Sequence, residues 1–102
     1  MNTITKMYRT NADIKKYLIS QGFYGMYLIP HTRHSKDILL DGVGFDAIGC
    51  KKDKTNLYFL QFKTNKKAPK KILEQYKKLN KKYSIKCLWI TKYTGGRIEV
   101  FE

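Results

Sequence analysis

The chain is expected to form one α/β domain in the order helix, three strands, helix, two strands. Three observations carry that expectation. Apolar residues follow the three-four rhythm of a helix in two stretches and the denser rhythm of strands elsewhere. Gly22, Pro30, Asp41-Gly42, Pro69 and Gly95-Gly96 punctuate those stretches at their ends. Finally, 102 residues with 42% hydrophobic and 14% aromatic content suit a single modest core that needs neither disulfides nor a structural metal, so residues 1–102 are read as one domain.

The first helix runs through "ADIKKYLIS", with Thr10 or Asn11 as its cap, Ile14, Tyr17 and Leu18 on one apolar face and Gly22 as its stop. "YGMYLIP" follows, rich in aromatic and branched residues and closed by Pro30, and reads as the first strand. "HTRHSKDILLDG" reads as a loop ending in an Asp-Gly turn. "VGFDAIGC" and "LYFLQFK", separated by "KKDKTN", have the pattern of an antiparallel hairpin. Pro69 suits the first turn of the second helix, "KKILEQYKKLNKKY", which places Ile72, Leu73, Tyr76, Leu79 and Tyr83 on one side and lysines opposite. "IKCLWITKY" is a buried strand, and "RIEVF" a short last one beyond the Gly95-Gly96 turn. Cys50 and Cys87 lack any companion at zinc spacing and are expected to be reduced, buried core residues.

Lysine and arginine outnumber acids 21 to 8, a net charge of +13. That field attracts polyanions, and nucleic acid is the leading partner. No stretch reaches the length of a membrane span, and the N-terminus lacks the apolar core of a signal peptide, so the expectation is a cytoplasmic protein without membrane association.

Alternation along a strand puts Leu57, Phe59, Gln61 and Lys63 on one face. A hairpin turning about Asp53 and Lys54 then sets Asp46 opposite Gln61. An acid, an amide oxygen and a lysine on one face suit phosphodiester hydrolysis. Asp46, the Gln61 carbonyl and the Phe62 backbone carbonyl can hold Mg2+ or Mn2+. The cation would polarise the phosphate and lower the pKa of a bound water, and Lys63 would hold the nucleophile and offset developing charge.

"GFDAIGC", a turn, "YFLQFKTN" and a helix resemble the PD-(D/E)XK nuclease superfamily, and within it the small archaeal Holliday junction resolvases and viral replication-repair nucleases. The resemblance covers nearly the whole chain. It implies a restriction-endonuclease-like α-β-β-β-α-β core, a mixed central sheet flanked by helices. It carries the metal-binding acid onto Asp46, the second ligand position onto Gln61 and the catalytic lysine onto Lys63. Phe45 stands where the family has proline, and Gln61 where it has Glu or Asp, which weakens the expected metal affinity. The resemblance also raises Asp13 on the first helix and Gln75 on the second as further members; ordinary roles for them are helix capping and a solvated helix surface.

Arg33, His34 and Lys36 in the loop, Lys51, Lys52 and Lys54 at the hairpin tip, Lys66, Lys67, Lys70 and Lys71 at the entrance to the second helix, and Arg97 are candidate phosphate contacts. His31, His34 and Asp37 could ligate a transition metal, although two histidines in a loop more often have no such role. Trp89 is expected in the core rather than as a base-stacking platform. The reading is a Mg2+-dependent DNA endonuclease acting on branched or double-stranded DNA as a homodimer. The alternative is a non-catalytic basic DNA-binding module that keeps the fold, and a weaker third is an RNA-directed protein of similar charge.

Overall fold

The computed structural model describes residues 3–28, 38–52 and 56–102. Helix α1 spans Thr3–Ser20 and so begins about two turns before the expected caps at Thr10 and Asn11. "TITKMYRT" contains neither proline nor glycine, and nothing in it halts a helix that packing holds farther on. Ile14 and Leu18 supply that packing, both buried. Gln21 donates to the carbonyls of Tyr17 and Leu18, and Gly22, at φ +102°, ends the helix as expected.

Strand β1 (Phe23–Leu28) pairs antiparallel with β4 (Ala47–Lys51). Phe23 faces Lys51 and Gly25 faces Cys50, so Tyr24 is the extra residue of a bulge and points into solvent. Ile38–Leu40, expected to be loop, forms strand β2 and pairs with β3 (Val43–Phe45). The Asp41-Gly42 turn between them has φ of +52° and +81°, the two positive values that match hairpin twist. Three residues are too few to announce a strand by periodicity, which is why only the turn was legible.

The expected single strand "VGFDAIGC" is two strands that break at Asp46. Only β4 stays in the main sheet, whose order is β1-β4-β5-β6-β7, with β5 at Leu57–Thr64, β6 at Lys86–Lys92 and β7 at Ile98–Phe101. The sheet is mixed: β5 and β6 run parallel across helix α2 (Lys70–Tyr83), and the other pairs are antiparallel. The order is therefore helix, five strands, helix, two strands. The extra pair is the β2–β3 hairpin beside an α-β-β-β-α-β core.

Each face of the sheet carries its own core. Tyr58, Leu60, Phe62, Leu88 and Ile90 pack with Ile14 and Leu18 of α1. Cys87 and Trp89 pack with Phe45, Tyr76 and Leu79 on the α2 side, where Phe59 joins them. Pro69 sits just before α2 with extended backbone (φ −62°, ψ 143°) rather than inside the first turn, and its carbonyl accepts from Ile72 and Leu73. Tyr83, expected on the buried side, is 41% exposed because it lies in the last turn and reaches for Asp41. Among the described residues no helix is long and apolar enough to cross a membrane.

Cys50 is half-buried rather than buried, and Cys87 is fully buried; both are free thiols. Burial pushes the Cys87 thiol up to about 11. At pH 8 Cys87 should therefore react with a thiol reagent only on unfolding, as timed labelling with mass-spectrometric mapping will read out. Leu60, wholly buried in the central strand, should cost about 2–5 kcal/mol when changed to alanine, measured by urea denaturation.

Candidate active site

The site is built where β4 leaves β5. The ladder from Ala47 with Leu60 to Cys50 with Leu57 has the register that a turn about Asp53 and Lys54 dictates. It stops one residue short of Asp46. The Asp46 N–H donates to the Leu60 carbonyl at 2.8 Å, so Asp46 and Ala47 both meet Leu60, which is a bulge. The Asp46 carboxylate then accepts the Phe62 N–H through Oδ2 at 2.9 Å. Asp46 is thus not set squarely across from Gln61; its side chain reaches one residue further along β5.

That bond orients Phe62. The N–H and C=O of one strand residue point to the same lateral side. The Phe62 carbonyl therefore faces the edge that β4 has vacated, on the side of the Asp46 carboxylate. Asp46 is 8% exposed and lies near Tyr76. Burial, with smaller contributions from Cys87 and Asp46, pushes the Tyr76 phenol above its usual range, so it remains a neutral hydroxyl.

Beside this point a cleft of about 470 Å³ opens between α2, the β2–β3 hairpin and the C-terminal half of β5. Gln61, Lys63, Lys66, Gln75, Tyr76 and Trp89 are among its lining residues. Lys63 Nζ lies 5.7 Å and Lys66 Nζ 6.0 Å from the centre of the Trp89 ring. Trp89 is core, as expected, but it also carries both ammonium groups. Its indole N–H donates to the Lys66 carbonyl at 3.1 Å and the Thr91 hydroxyl at 2.9 Å, fixing the segment after β5.

The opposite wall is pinned at its tip. Asp41 accepts from Lys82 Nζ at 3.0 Å and from the Tyr83 hydroxyl at 2.8 Å. These two hydrogen bonds, Lys82 first, hold the Asp41 carboxyl below its ordinary range.

Of the expected site residues, Gln61 and Lys63 share the cleft and Asp46 lies buried beside it. Gln75 lines the same cleft, whereas Asp13 pairs with Lys92 on the face covered by α1. Lys66 lines the cleft, and Lys67, Lys70 and Lys71 are exposed where the chain enters α2. Lys51 and Lys52 lie at the other end of β4, roughly 17 Å along the strand from Asp46. There Lys51 packs over the rings of Phe23 and Tyr58. Arg97 stacks on Tyr93 in the β6–β7 hairpin, whose Thr94 is bonded to Asn65 at the end of β5, so it belongs to the cleft end of the sheet. His31, Arg33, His34, Lys36, Asp37 and Lys54 lie outside the described residues. Tyr76 and Asp41 were missed as cleft residues; the Asp-Gly turn marked Asp41 as a turn but not what it would touch.

The chemistry of the donors can accept a hard cation. Gln61 Oε1 is a buried oxygen without a hydrogen-bond partner, and such an acceptor invites a cation or an ordered water. Among the described residues no three or more histidine, cysteine, aspartate or glutamate side chains come together. A cation here would rest on Asp46, the Gln61 amide oxygen, the Phe62 carbonyl and water.

With this geometry the fold has a recognisable class: a mixed sheet flanked by helices, of the restriction-endonuclease-like kind. Among solved structures the chain is similar to Hjc, a Holliday junction resolvase from the archaeal hyperthermophile Archaeoglobus fulgidus, with a TM-score of 0.57 and 14% identity over 94% of this chain and 71% of that one. No protein-family model matches, and no curated protein matches.

Asp46→Ala should destabilise the fold by about 1–3 kcal/mol, because it orphans the buried Phe62 N–H, whereas Asp46→Asn keeps an oxygen acceptor there; chemical denaturation of both variants checks this. The Asp41 contacts stabilise the fold at pH values above the ordinary carboxylate pKa. Their contribution is lost as pH falls through the lowered folded value, so amide protection factors at the β2–β3 turn, with the intrinsic exchange rate divided out, should fall there in the native protein and change little in Asp41→Asn.

Proposed function

We propose that the protein is a metal-dependent DNA endonuclease acting on branched or double-stranded DNA. The observation that carries this reading is one cleft lined by Gln61, with its unpartnered amide oxygen, and Lys63, with the buried Asp46 carboxylate beside it, on the central strands of a fold like that of a nuclease. The neighbour's action on Holliday junctions supports a branched substrate, and two symmetric cuts would require a homodimer.

In this reading Asp46, Gln61 and the Phe62 carbonyl hold Mg2+ or Mn2+. The cation supplies Lewis acidity toward phosphate and a lowered pKa for water. Lys63 orients the attacking water and faces the negative charge that develops as a P–O ester bond breaks. Lys66 and Gln75 hold the phosphate's neighbours in the cleft, and Lys67, Lys70 and Arg97 grip the backbone without reading bases. Trp89 keeps Lys63 and Lys66 extended over its ring, so less side-chain freedom is lost when phosphate binds. The reaction consumes water and leaves one phosphate monoester and one hydroxyl end.

One observation favours a second reading. The site has Gln61 where a second carboxylate would strengthen metal binding, so a DNA-binding module with this fold and no turnover is the alternative.

The test is cleavage of labelled four-way junction, duplex and single-stranded DNA in Mg2+, Mn2+ or EDTA. Native protein should cut in metal alone, and Asp46→Asn and Lys63→Ala should each lose at least a hundredfold in rate while still binding DNA. Gln61→Glu should lower the Mn2+ concentration needed for half-maximal cutting. Tight, salt-sensitive binding with no cutting in either metal would establish the binding module instead.

A further inference from the structure

Beyond Lys70 at its start, the exposed side of α2 has no role in the mechanism just described. It carries Lys70, Lys71, Lys77, Lys78, Lys81 and Lys82 with a single acid, Glu74. At 3.6 residues per turn these fall into two rows: Lys70, Lys77 and Lys81 in one, Lys71, Lys78 and Lys82 in the other. Among the described residues only Lys82 of this set is ion-paired, to Asp41. In part the arrangement works against the helix, although Lys81 and Lys82 suit its last turn. Its first turn has no acid and two lysines at the positive end of the dipole, and Lys77 and Lys81 are a like-charge pair four apart. A merely solvated face has no need of that cost.

We propose that this ridge is a docking track for the phosphate backbone of duplex DNA, leading into the cleft; the proposal rests on the nucleic-acid reading of the site. Three features carry it. The ridge and the cleft share one helix, since Ile72, Gln75 and Tyr76 line the cleft. The helix has 14 residues, about 21 Å, a little over half a turn of B-form duplex at roughly 34 Å per turn. On α2 the one exposed aromatic ring is Tyr83 in its last turn, tied to Asp41 and covered by Lys82, while Tyr76 is buried. Single-strand sites stack bases on aromatic side chains. A rigid double row of ammonium groups instead suits a backbone of fixed phosphate spacing.

The experiment is fluorescence anisotropy of a labelled 30-base-pair duplex in EDTA, so that neither metal nor turnover enters. The variants are Lys77→Gln/Lys78→Gln/Lys81→Gln and, as control, Lys15→Gln/Lys16→Gln on exposed positions of α1. Glutamine has nearly the helix propensity of lysine, and circular dichroism verifies the fold. The triple variant should bind at least tenfold more weakly and flatten the slope of log K against log salt by about 2–3, from about 0.9 per phosphate contact. The control should stay within threefold, and an oligothymidine probe should respond less than the duplex. Unchanged duplex affinity in the triple variant, or an equal loss per charge in the control, would overturn the ridge while leaving the nuclease reading intact. Failure of the native protein to bind any duplex would overturn both.

Discussion

The arrangement depends on one hydrogen bond, from the Phe62 N–H to the Asp46 carboxylate. In an uninterrupted ladder that N–H would be met by a main-chain carbonyl of the neighbouring strand. Here a side chain takes the carbonyl's place. The backbone before Asp46 is released from β5, and Val43–Phe45 pairs with Ile38–Leu40 instead. The same substitution leaves the Phe62 carbonyl on the side of the Asp46 carboxylate and seats that carboxylate where it is largely out of water. The fold and the site therefore share a residue, and stability and chemistry at Asp46 must be separated by the choice of substitution.

Strand β5 can support this because it is paired on both sides and its two faces do different work. Tyr58, Leu60 and Phe62 commit one face to α1. Phe59 joins the α2 core on the other, and the same face then becomes polar at Gln61 and Lys63 as the cleft begins. Its parallel neighbour holds the end of that polar run: Lys63 pairs with Thr91, whose hydroxyl donates to the Lys66 carbonyl. Rigid backbone beneath and packed rings beside it leave Gln61 and Lys63 few alternatives to the cleft.

Much of this is legible in the sequence. Helix α2 was readable to its ends because apolar spacing, Pro69 and a lysine-covered face all agreed. Alternation put Gln61 and Lys63 together, and hairpin symmetry gave the register of β4 with β5. The break at Asp46 was hidden because a bulge is a tertiary decision: "GFDAIG" reads as one strand until the acid finds a backbone donor sixteen residues away. The start of α1 was misplaced for the opposite reason, since a capping residue was present but not used. Asp41 meeting α2, and two lysines meeting Trp89, join segments far apart in sequence that no local pattern connects.

Gln61 also has a physical logic beside Asp46. Two carboxylates on adjoining buried positions repel, and the protein must then rely on a cation to hold both ionised. With an amide at 61, Asp46 can serve β5 as a backbone acceptor without a second negative charge close by. The residual cost is the unpartnered Gln61 Oε1, of order 1–3 kcal/mol for a buried acceptor. A site of this kind is preformed without metal and binds metal less strongly. The lysines over Trp89 add to that bias, since positive charge beside the site disfavours a cation until phosphate arrives to neutralise it. On the proposed reading, metal and nucleic acid should therefore bind with positive coupling, each raising the other's affinity by the same factor.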